Sequence, residues 1–151
     1  LYVDSDAAEQ LQPRTVGYRS VETPTADQFA FESGARRFEV GSANPAPHVA
    51  LAEAIETVSA VGVDRIESRI HRLAGRLADQ LPPERLLSPA TPESGLVTID
   101  VDAPEATVDR LATDGIVVRS LPDPSAVRAS IHAVNTEADV DRLADALAEE
   151  F

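Results

Sequence analysis

The sequence predicts an α+β fold in which helices cover one face of a mainly antiparallel sheet. Apolar residues alternate with polar ones in short segments beyond residue 95, which is typical of half-buried strands. Between and after those segments, apolar residues recur at helical spacing. The resulting order, β-α-β-β-α, is typical of helices packed on one face of such a sheet.

Residues 1–44 form a first region, in which helical signals are few and turn residues are frequent. The turn residues include Pro13, Gly17, Pro24 and Gly34. We therefore expect strands and loops that border a larger sheet, with Leu1–Asp6 as the first of these strands.

Residues 45–81 are expected to form two helices that bridge the regions on either side. The first begins near Pro45 and ends at Gly62, and the second follows Asp64 and stops at Pro82. Apolar side chains share one face of each helix: Leu51, Ala54, Ile55 and Val58 in the first, and Ile66, Ile70, Leu73 and Leu77 in the second.

Residues 82–151 are expected to form a compact α+β domain. Its first strand is Leu96–Val101, and its first helix opens at Pro104 and closes at Gly115. Two further strands, Ile116–Ser120 and Ala126–His132, are joined by the turn LPDPS.

The last helix of this domain carries a complete start signal. Thr136 is expected to cap it, with Asp139 in the capping-box position three residues later. The helical spacing then predicts a buried stripe formed by Val140, Leu143, Leu147 and Phe151.

The chain is strongly acidic, with 26 acidic residues against 13 basic ones, and it contains no lysine. Excess negative charge repels phosphate groups, so we expect neither nucleic acid nor an anionic membrane as a partner. An acidic disordered tail is contradicted by the periodic apolar residues. We interpret the acidity as adaptation to high salt, in which a Debye length of about 3 Å at 1 M screens the self-repulsion.

Several classes of site are excluded by what the sequence lacks. Cysteine is absent, which excludes a disulfide framework, a thiolate metal site and a cysteine nucleophile in this sequence. His48 and His71 lack metal-ligand spacing, so no metal site is predicted. No charged segment followed by an apolar run is present, so we expect no signal peptide or membrane span, and a cytoplasmic location. Because methionine is absent, we interpret the chain as a fragment of a longer protein.

Arg128 is the first candidate for chemistry. On the predicted strand Ala126–His132 it shares one face with Ser130 and His132. Its planar guanidinium matches a carboxylate with two parallel hydrogen bonds, which suits the binding of an amino acid. Arg119, at the end of the preceding strand, is a candidate for the same role. The alternative for both arginines is a solvated or salt-bridged position on an exposed sheet face.

Gly41 and Ser42 are a second candidate site, just ahead of a predicted helix start. Their backbone N–H groups, the serine hydroxyl and the positive end of the helix together suit a phosphate. The alternative is a plain turn that caps the helix, which is the usual role of such a pair.

Several of these segments occur in an order that resembles class V aminotransferases and cysteine desulfurases, which are pyridoxal-phosphate (PLP) enzymes of fold type I. The run ARRFEVGSANP resembles the motif Arg-Phe-Glu-x-Gly-Thr-x-Asn of that family. LYVDSDAAEQLQP and VGYRS resemble the segments that follow its cofactor-binding lysine, and DGIVVRS and VRASIHAVNT resemble its last two strands. The resemblance implies that residues 1–44 are the C-terminal edge of a large PLP-binding domain, residues 45–81 the bridging helices, and residues 82–151 the small C-terminal domain.

The resemblance also implies roles for the candidate residues. Arg128 matches the arginine that binds the α-carboxylate of the substrate, and Arg119 matches a nearby arginine that faces the same pocket. Gly41 and Ser42 match a Gly-Thr pair that reaches the cofactor phosphate of the neighbouring subunit, which implies a homodimer. The Schiff-base lysine has no counterpart here, so no catalytic residue is assigned and the fragment alone is expected to be inactive.

The chain also departs from the family pattern. Ser42 replaces the usual threonine but keeps the hydroxyl, while Ala133 and Val134 stand where an aromatic residue often precedes the asparagine. Asn135 and Thr136 match residues that shape the last turn and cap the final helix. The turn LPDPS lacks the cysteine that forms the persulfide in desulfurases, so sulfur transfer through a protein persulfide is excluded for this chain.

The function that the resemblance implies is that of a PLP-dependent enzyme acting on an amino acid. Transamination and a β-elimination of the C–S lyase kind are the expected reactions, and epimerisation is also open. The alternative from a different class is a noncatalytic regulatory or interaction module, because β-α-β-β-α units also serve as ligand-sensing domains. Under that alternative Arg128 is an ordinary surface residue and the segment before Pro45 is a linker.

Overall fold

The chain divides into two compact units in the computed structural model, which describes residues 2–151. The units are Leu1–Glu56 and Thr57–Phe151. The first contains a short helix α1 (Ser5–Gln10), a 3₁₀ helix (Gly34–Phe38) and most of helix α2 (Ala46–Val61). The second contains three further α-helices, a 3₁₀ helix (Pro83–Arg85) and a three-stranded sheet. The domain boundaries predicted after residues 44 and 81 stay predictions.

Helix α1 begins after Asp4, which acts as its N-cap. The Asp4 carboxylate accepts hydrogen bonds from the backbone N–H groups of Asp6 and Ala7, at 3.0 and 3.3 Å. The strand predicted over Leu1–Asp6 is therefore wrong for its described part, because Ser5 and Asp6 already belong to the helix. Leu1 itself lies outside the described residues.

The strands predicted elsewhere before residue 45 are also absent from residues 2–44. The exception is an isolated antiparallel bridge between Val21 and Phe31. Closely spaced turn residues leave no run long enough to pair as a ladder, so most of this region has irregular structure.

Helices α2 and α3 confirm the two helices predicted between residues 45 and 81. The backbone N–H of Ala46 donates to the Asn44 side-chain oxygen at 3.0 Å, which starts α2. Gly62 then adopts a φ of +92°, a left-handed conformation that suits glycine, and separates α2 from α3 (Val63–Gln80). No residue of α2 is buried.

The sheet of the second unit has the strand order β1-β3-β2 and is antiparallel throughout. Its strands are β1 (Leu96–Asp100), β2 (Arg119–Pro122) and β3 (Ser125–Ser130). Helix α4 (Pro104–Thr113) connects β1 to β2, and helix α5 (Glu137–Ala148) follows β3. This arrangement confirms the predicted order β-α-β-β-α.

An apolar core lies between one face of this sheet and helices α3, α4 and α5. The strands contribute Val97, Ile99, Val127 and Ala129, and the helices contribute Leu73, Ala74, Leu77, Leu111, Val140, Leu143, Ala144 and Leu147. The predicted α+β class, with helices on one face, is thereby confirmed. Phe151 is an exception to the predicted stripe of α5: it is 41% exposed, because the helix ends at Ala148.

Strand β2 lies further along the chain than predicted. The strand expected over Ile116–Ser120 begins only at Arg119, because the Ile116 N–H donates to the Leu111 carbonyl and completes the end of α4. Pro122 pairs directly with Ser125, so two residues form the turn instead of the five expected. This shift makes Arg119 the first residue of β2, whereas the sequence placed it near the end of that strand.

Two kinds of feature are absent from the part of the chain that the structure describes. None of its helices combines the length and hydropathy that a membrane span requires. Residues 2–151 also contain no group of three or more histidine or acidic side chains positioned to hold a metal ion.

Candidate functional site

The sheet face that points away from the helices carries a row of three polar side chains. Arg128 on β3 pairs with Thr98 of β1 on one side and with Arg119 of β2 on the other. Residues directly opposite each other in an antiparallel ladder point to the same face, with Cβ atoms about 4.5–5.5 Å apart. The structure therefore brings together the two arginines that the sequence singled out.

The Arg128 side chain is half-buried, and one of its hydrogen-bond donors has no acceptor. Its Nε atom is buried and has no hydrogen-bond partner, the one such side-chain atom found among residues 2–151. Arg119 beside it is exposed. Neither guanidinium forms an ion pair with an acidic side chain of the described chain. A buried N–H without an acceptor costs free energy, and an anion placed beside it would supply that acceptor.

The acid nearest to this row along β1 is engaged elsewhere. Asp100 lies two residues beyond Thr98, and its carboxylate accepts a hydrogen bond from Arg85 at 3.2 Å. Arg85 also donates to Asp102 at 3.1 Å, and these contacts raise the pKa of its guanidinium, Asp102 contributing most. Arg85 therefore pairs with both Asp100 and Asp102, and neither of these acids pairs with Arg128.

The chain after β3 is fixed by hydrogen bonds that end the strand and start α5. Asn135 accepts the His132 N–H at 2.9 Å, and Thr136 and Asp139 form the predicted capping box. The roles predicted for Asn135 and Thr136 are thus confirmed. The Thr136 N–H and side chain lower the pKa of the Asp139 carboxyl, because both hydrogen bonds stabilise its charged form.

Arg69 adds a contact that the sequence did not reveal. From helix α3 its guanidinium donates to the carbonyls of Ala133 and Asn135, each at 2.7 Å. These bonds span more than sixty residues, and an arginine within a helical pattern carries no local sign of such a role. Arg69 therefore fixes the loop that follows the strand of Arg128.

Gly41 and Ser42, the predicted phosphate contacts, lie in the first unit beside the turn at Gly17. A Cβ atom at position 17 would lie 1.7 Å from the Val40 carbonyl oxygen, so the close approach of the two segments requires glycine. It places the Tyr18 hydroxyl 3.0 Å from the Ser42 Oγ. Within residues 2–151, the backbone N–H groups of Gly41 and Ser42 have no hydrogen-bond acceptor.

This segment therefore presents several donors with unused capacity. The Ser42 side chain is exposed, and Tyr18 is 56% exposed. The hydrogen bond with Ser42, and then the Arg19 guanidinium, lower the pKa of the Tyr18 hydroxyl. Two open N–H groups, the one hydroxyl proton that the Tyr18–Ser42 contact leaves free, and a nearby guanidinium match the acceptor oxygens of a phosphate group.

Arg37, within the quoted run ARRFEVGSANP, has a structural role that the sequence did not reveal. It is 8% exposed and donates to the carbonyls of Ala8 and Glu9, at 3.1 and 3.3 Å, and to the Glu9 carboxylate at 2.5 Å. A backbone hydrogen bond from Gly34, followed by the charge and hydrogen bond of Arg37, lowers the pKa of the Glu9 carboxyl. Arg37 thus joins the end of α1 to the segment that leads to Ser42.

Comparison with known proteins gives a consistent result. The family model of aminotransferase class-V matches residues 1–143. Isopenicillin N epimerase from Amycolatopsis lactamdurans is 31% identical over 99% of this chain and 42% of its own length. A probable cysteine desulfurase from Halalkalibacterium halodurans is 27% identical over 97% of this chain and 40% of its own length.

Solved structures show the same fold. The cystine C–S lyase C-DES, in complex with cysteine persulfide, matches with a TM-score of 0.80 and 24% identity over 99% of this chain and 41% of that chain. A C-DES variant with glycine covalently linked to its PLP cofactor matches with a TM-score of 0.81 and 25% identity. The chain thus spans about two fifths of the length of the proteins it matches.

Proposed function

Because the chain belongs to the aminotransferase class-V family, we propose that it is the C-terminal part of a longer PLP-dependent enzyme that acts on an amino acid. The match of nearly the whole chain to about two fifths of each relative supports this proposal. The full-length protein would supply the lysine that this chain lacks.

Arg128 is proposed to bind the α-carboxylate of the substrate. The observation that carries this proposal is that the buried Nε of Arg128 has no hydrogen-bond partner. Arg128 also lies opposite Arg119 in the sheet, and neither arginine is paired with an acid. A carboxylate would satisfy that N–H and neutralise part of the paired positive charge. Arg119, which is more exposed, would bind the same anion from the solvent side.

Gly41 and Ser42 are proposed to hold the cofactor phosphate, in agreement with their open N–H groups and hydroxyl. In a homodimer, which is part of this proposal, the phosphate would belong to the neighbouring subunit. Bound PLP supplies an electron sink for reactions at the α-carbon of an amino acid. Arg128 would then orient the substrate, and Ser42 would fix the position of the cofactor.

The proposed reaction is a transamination or a β-elimination like that of a C–S lyase. Sulfur transfer through a persulfide on this chain is excluded because the chain has no cysteine. Similarity to isopenicillin N epimerase keeps epimerisation open as a third reaction at the same carbon. The acidic composition supports a protein that works in high salt.

The test is a visible absorption spectrum of the full-length protein, purified with PLP in high salt, before and after treatment with borohydride. We expect a band from lysine-bound cofactor that borohydride abolishes. A folded full-length protein with no such band would contradict the proposal, and would favour a noncatalytic regulatory module of β-α-β-β-α type.

A further inference from the structure

Tyr18 and Ser42 are 24 residues apart in the sequence, and their hydroxyl groups are in hydrogen-bonding contact at 3.0 Å. Geometry alone permits either oxygen to be the donor. A phenol, with a pKa of about 10, is a much stronger acid than the alcohol of serine, so the Tyr18 O–H is the favoured donor.

Resting on the phosphate role proposed for Ser42, we propose that Tyr18 is a positioning residue for that hydroxyl. The Tyr18 O–H donates to Ser42 Oγ and leaves the single Ser42 proton free to donate to a phosphate oxygen. Without Tyr18, the Ser42 hydroxyl would rotate among the acceptors around it, because an exposed serine hydroxyl is otherwise unrestrained.

Arg19 adds a positive charge beside the Tyr18 hydroxyl, and this charge favours an anion at the same place. Arg19 lies 3.9 Å from the Glu39 carboxylate, a contact long enough to leave much of its positive charge available near an anion.

The backbone holds this arrangement in place. Gly17 lies against the Val40 carbonyl, where no side chain fits, so the turn carrying Tyr18 and the segment carrying Ser42 are in direct backbone contact. The open N–H groups of Gly41 and Ser42 lie in the same segment. Tyr18 therefore orients one member of a group of donors, the Gly41 and Ser42 N–H groups and the Ser42 hydroxyl, which come from one short run of the chain.

The test compares binding of PLP and of pyridoxal, which lacks the phosphate, to the full-length apoprotein. We expect Ser42→Ala to weaken PLP binding by about 10-fold or more, since it removes a hydrogen bond to a charged group. Tyr18→Phe should weaken PLP binding by about 5-fold, and should add little to Ser42→Ala in the double variant. Pyridoxal binding should be unchanged in Tyr18→Phe. Tyr2→Phe, at an 87% exposed tyrosine, is the matched control.

Each outcome has a distinct meaning. If Ser42→Ala weakens PLP binding and Tyr18→Phe does not, the positioning role of Tyr18 is wrong and the proposed function stands. If Tyr18→Phe weakens PLP and pyridoxal binding by the same factor, Tyr18 has only a general structural role, and the inference is also wrong. If Ser42→Ala leaves PLP binding unchanged, the phosphate role of Ser42 is wrong and the inference falls with it.

Discussion

Arg119 and Arg128 are paired directly across the β2–β3 ladder, and no acidic side chain of the described residues balances them. Like charges directly opposite each other destabilise a sheet. A protein with 26 acidic residues has many ways to neutralise such a pair, yet the nearest acid on β1, Asp100, is bound to Arg85. A bound anion, such as the proposed substrate carboxylate, would balance this pair.

The first prediction concerns the cost of this pairing. Arg119→Gln should stabilise the 151-residue chain at low ionic strength by a few tenths of a kcal/mol up to about 1 kcal/mol, because it removes like-charge repulsion. The gain should shrink in 1 M salt, where screening is effective. Urea unfolding at both salt concentrations measures it, with Arg65→Gln, an exposed arginine of α3, as the control. A loss of stability at low salt would show that the repulsion does not exist.

A second prediction concerns Asp141, which joins α5 to α3. Hydrogen bonds from Arg76, and then from Gln80, lower the pKa of its carboxyl. A carboxyl whose pKa is lowered by folding adds stability above its unfolded pKa, about 3.9, and loses it as the pH falls through the folded value. The stability lost in Asp141→Asn should therefore be present at pH 7 and shrink below about pH 4.

Unfolding free energies measured over a pH series test this dependence. Asp145→Asn, at an exposed position of the same helix, is the matched control and should change stability little. A difference between the wild type and Asp141→Asn that stays constant from pH 7 to pH 3 would show that the contact with Arg76 does not act through charge.

A third prediction concerns two glycines of the second unit. A Cβ atom at Gly95 would lie 2.1 Å from the Ile131 carbonyl oxygen, whereas at Gly75 none of the atoms considered lies within 4 Å. Gly95→Ala should therefore cost about 1–3 kcal/mol through overpacking. Gly75→Ala, inside helix α3, should raise the free energy of unfolding by about 0.5–1 kcal/mol, because alanine favours a helix interior more than glycine does. Thermal unfolding of both variants measures these changes in stability. If the two substitutions changed stability equally, β1 and β3 would not be packed as described.

The parts of the fold that the sequence predicted are those with local causes. The strand at Leu96, the helix at Pro104 and the capping box at Thr136 each depend on residues within a few positions of one another. The strands expected before residue 45 failed because strand formation needs a partner, which the sequence of one segment does not reveal.

The candidate site could be predicted only in part, for the same reason. Arg119 and Arg128 were both identified, but their direct pairing follows from a two-residue turn that brings Pro122 opposite Ser125. The contact of Tyr18 with Ser42 spans 24 residues, and the reach of Arg37 to α1 spans 28 or 29. Such contacts depend on the folded path of the chain, so neither residue type nor spacing predicts them.

The most direct test of the proposed substrate site is a titration of the PLP-loaded full-length protein, followed by its visible absorption spectrum. Alanine is compared with ethylamine, which carries the same amino group but no carboxylate. We expect the spectrum of the wild type to respond to alanine at a much lower concentration than to ethylamine. Arg128→Gln should reduce this preference by about 10- to 150-fold, because it removes a hydrogen bond to a charged group. Arg65→Gln should leave it unchanged. An equal response of the wild type to both compounds, or a preference that survives in Arg128→Gln, would contradict the assignment of Arg128 as the residue that binds the substrate carboxylate.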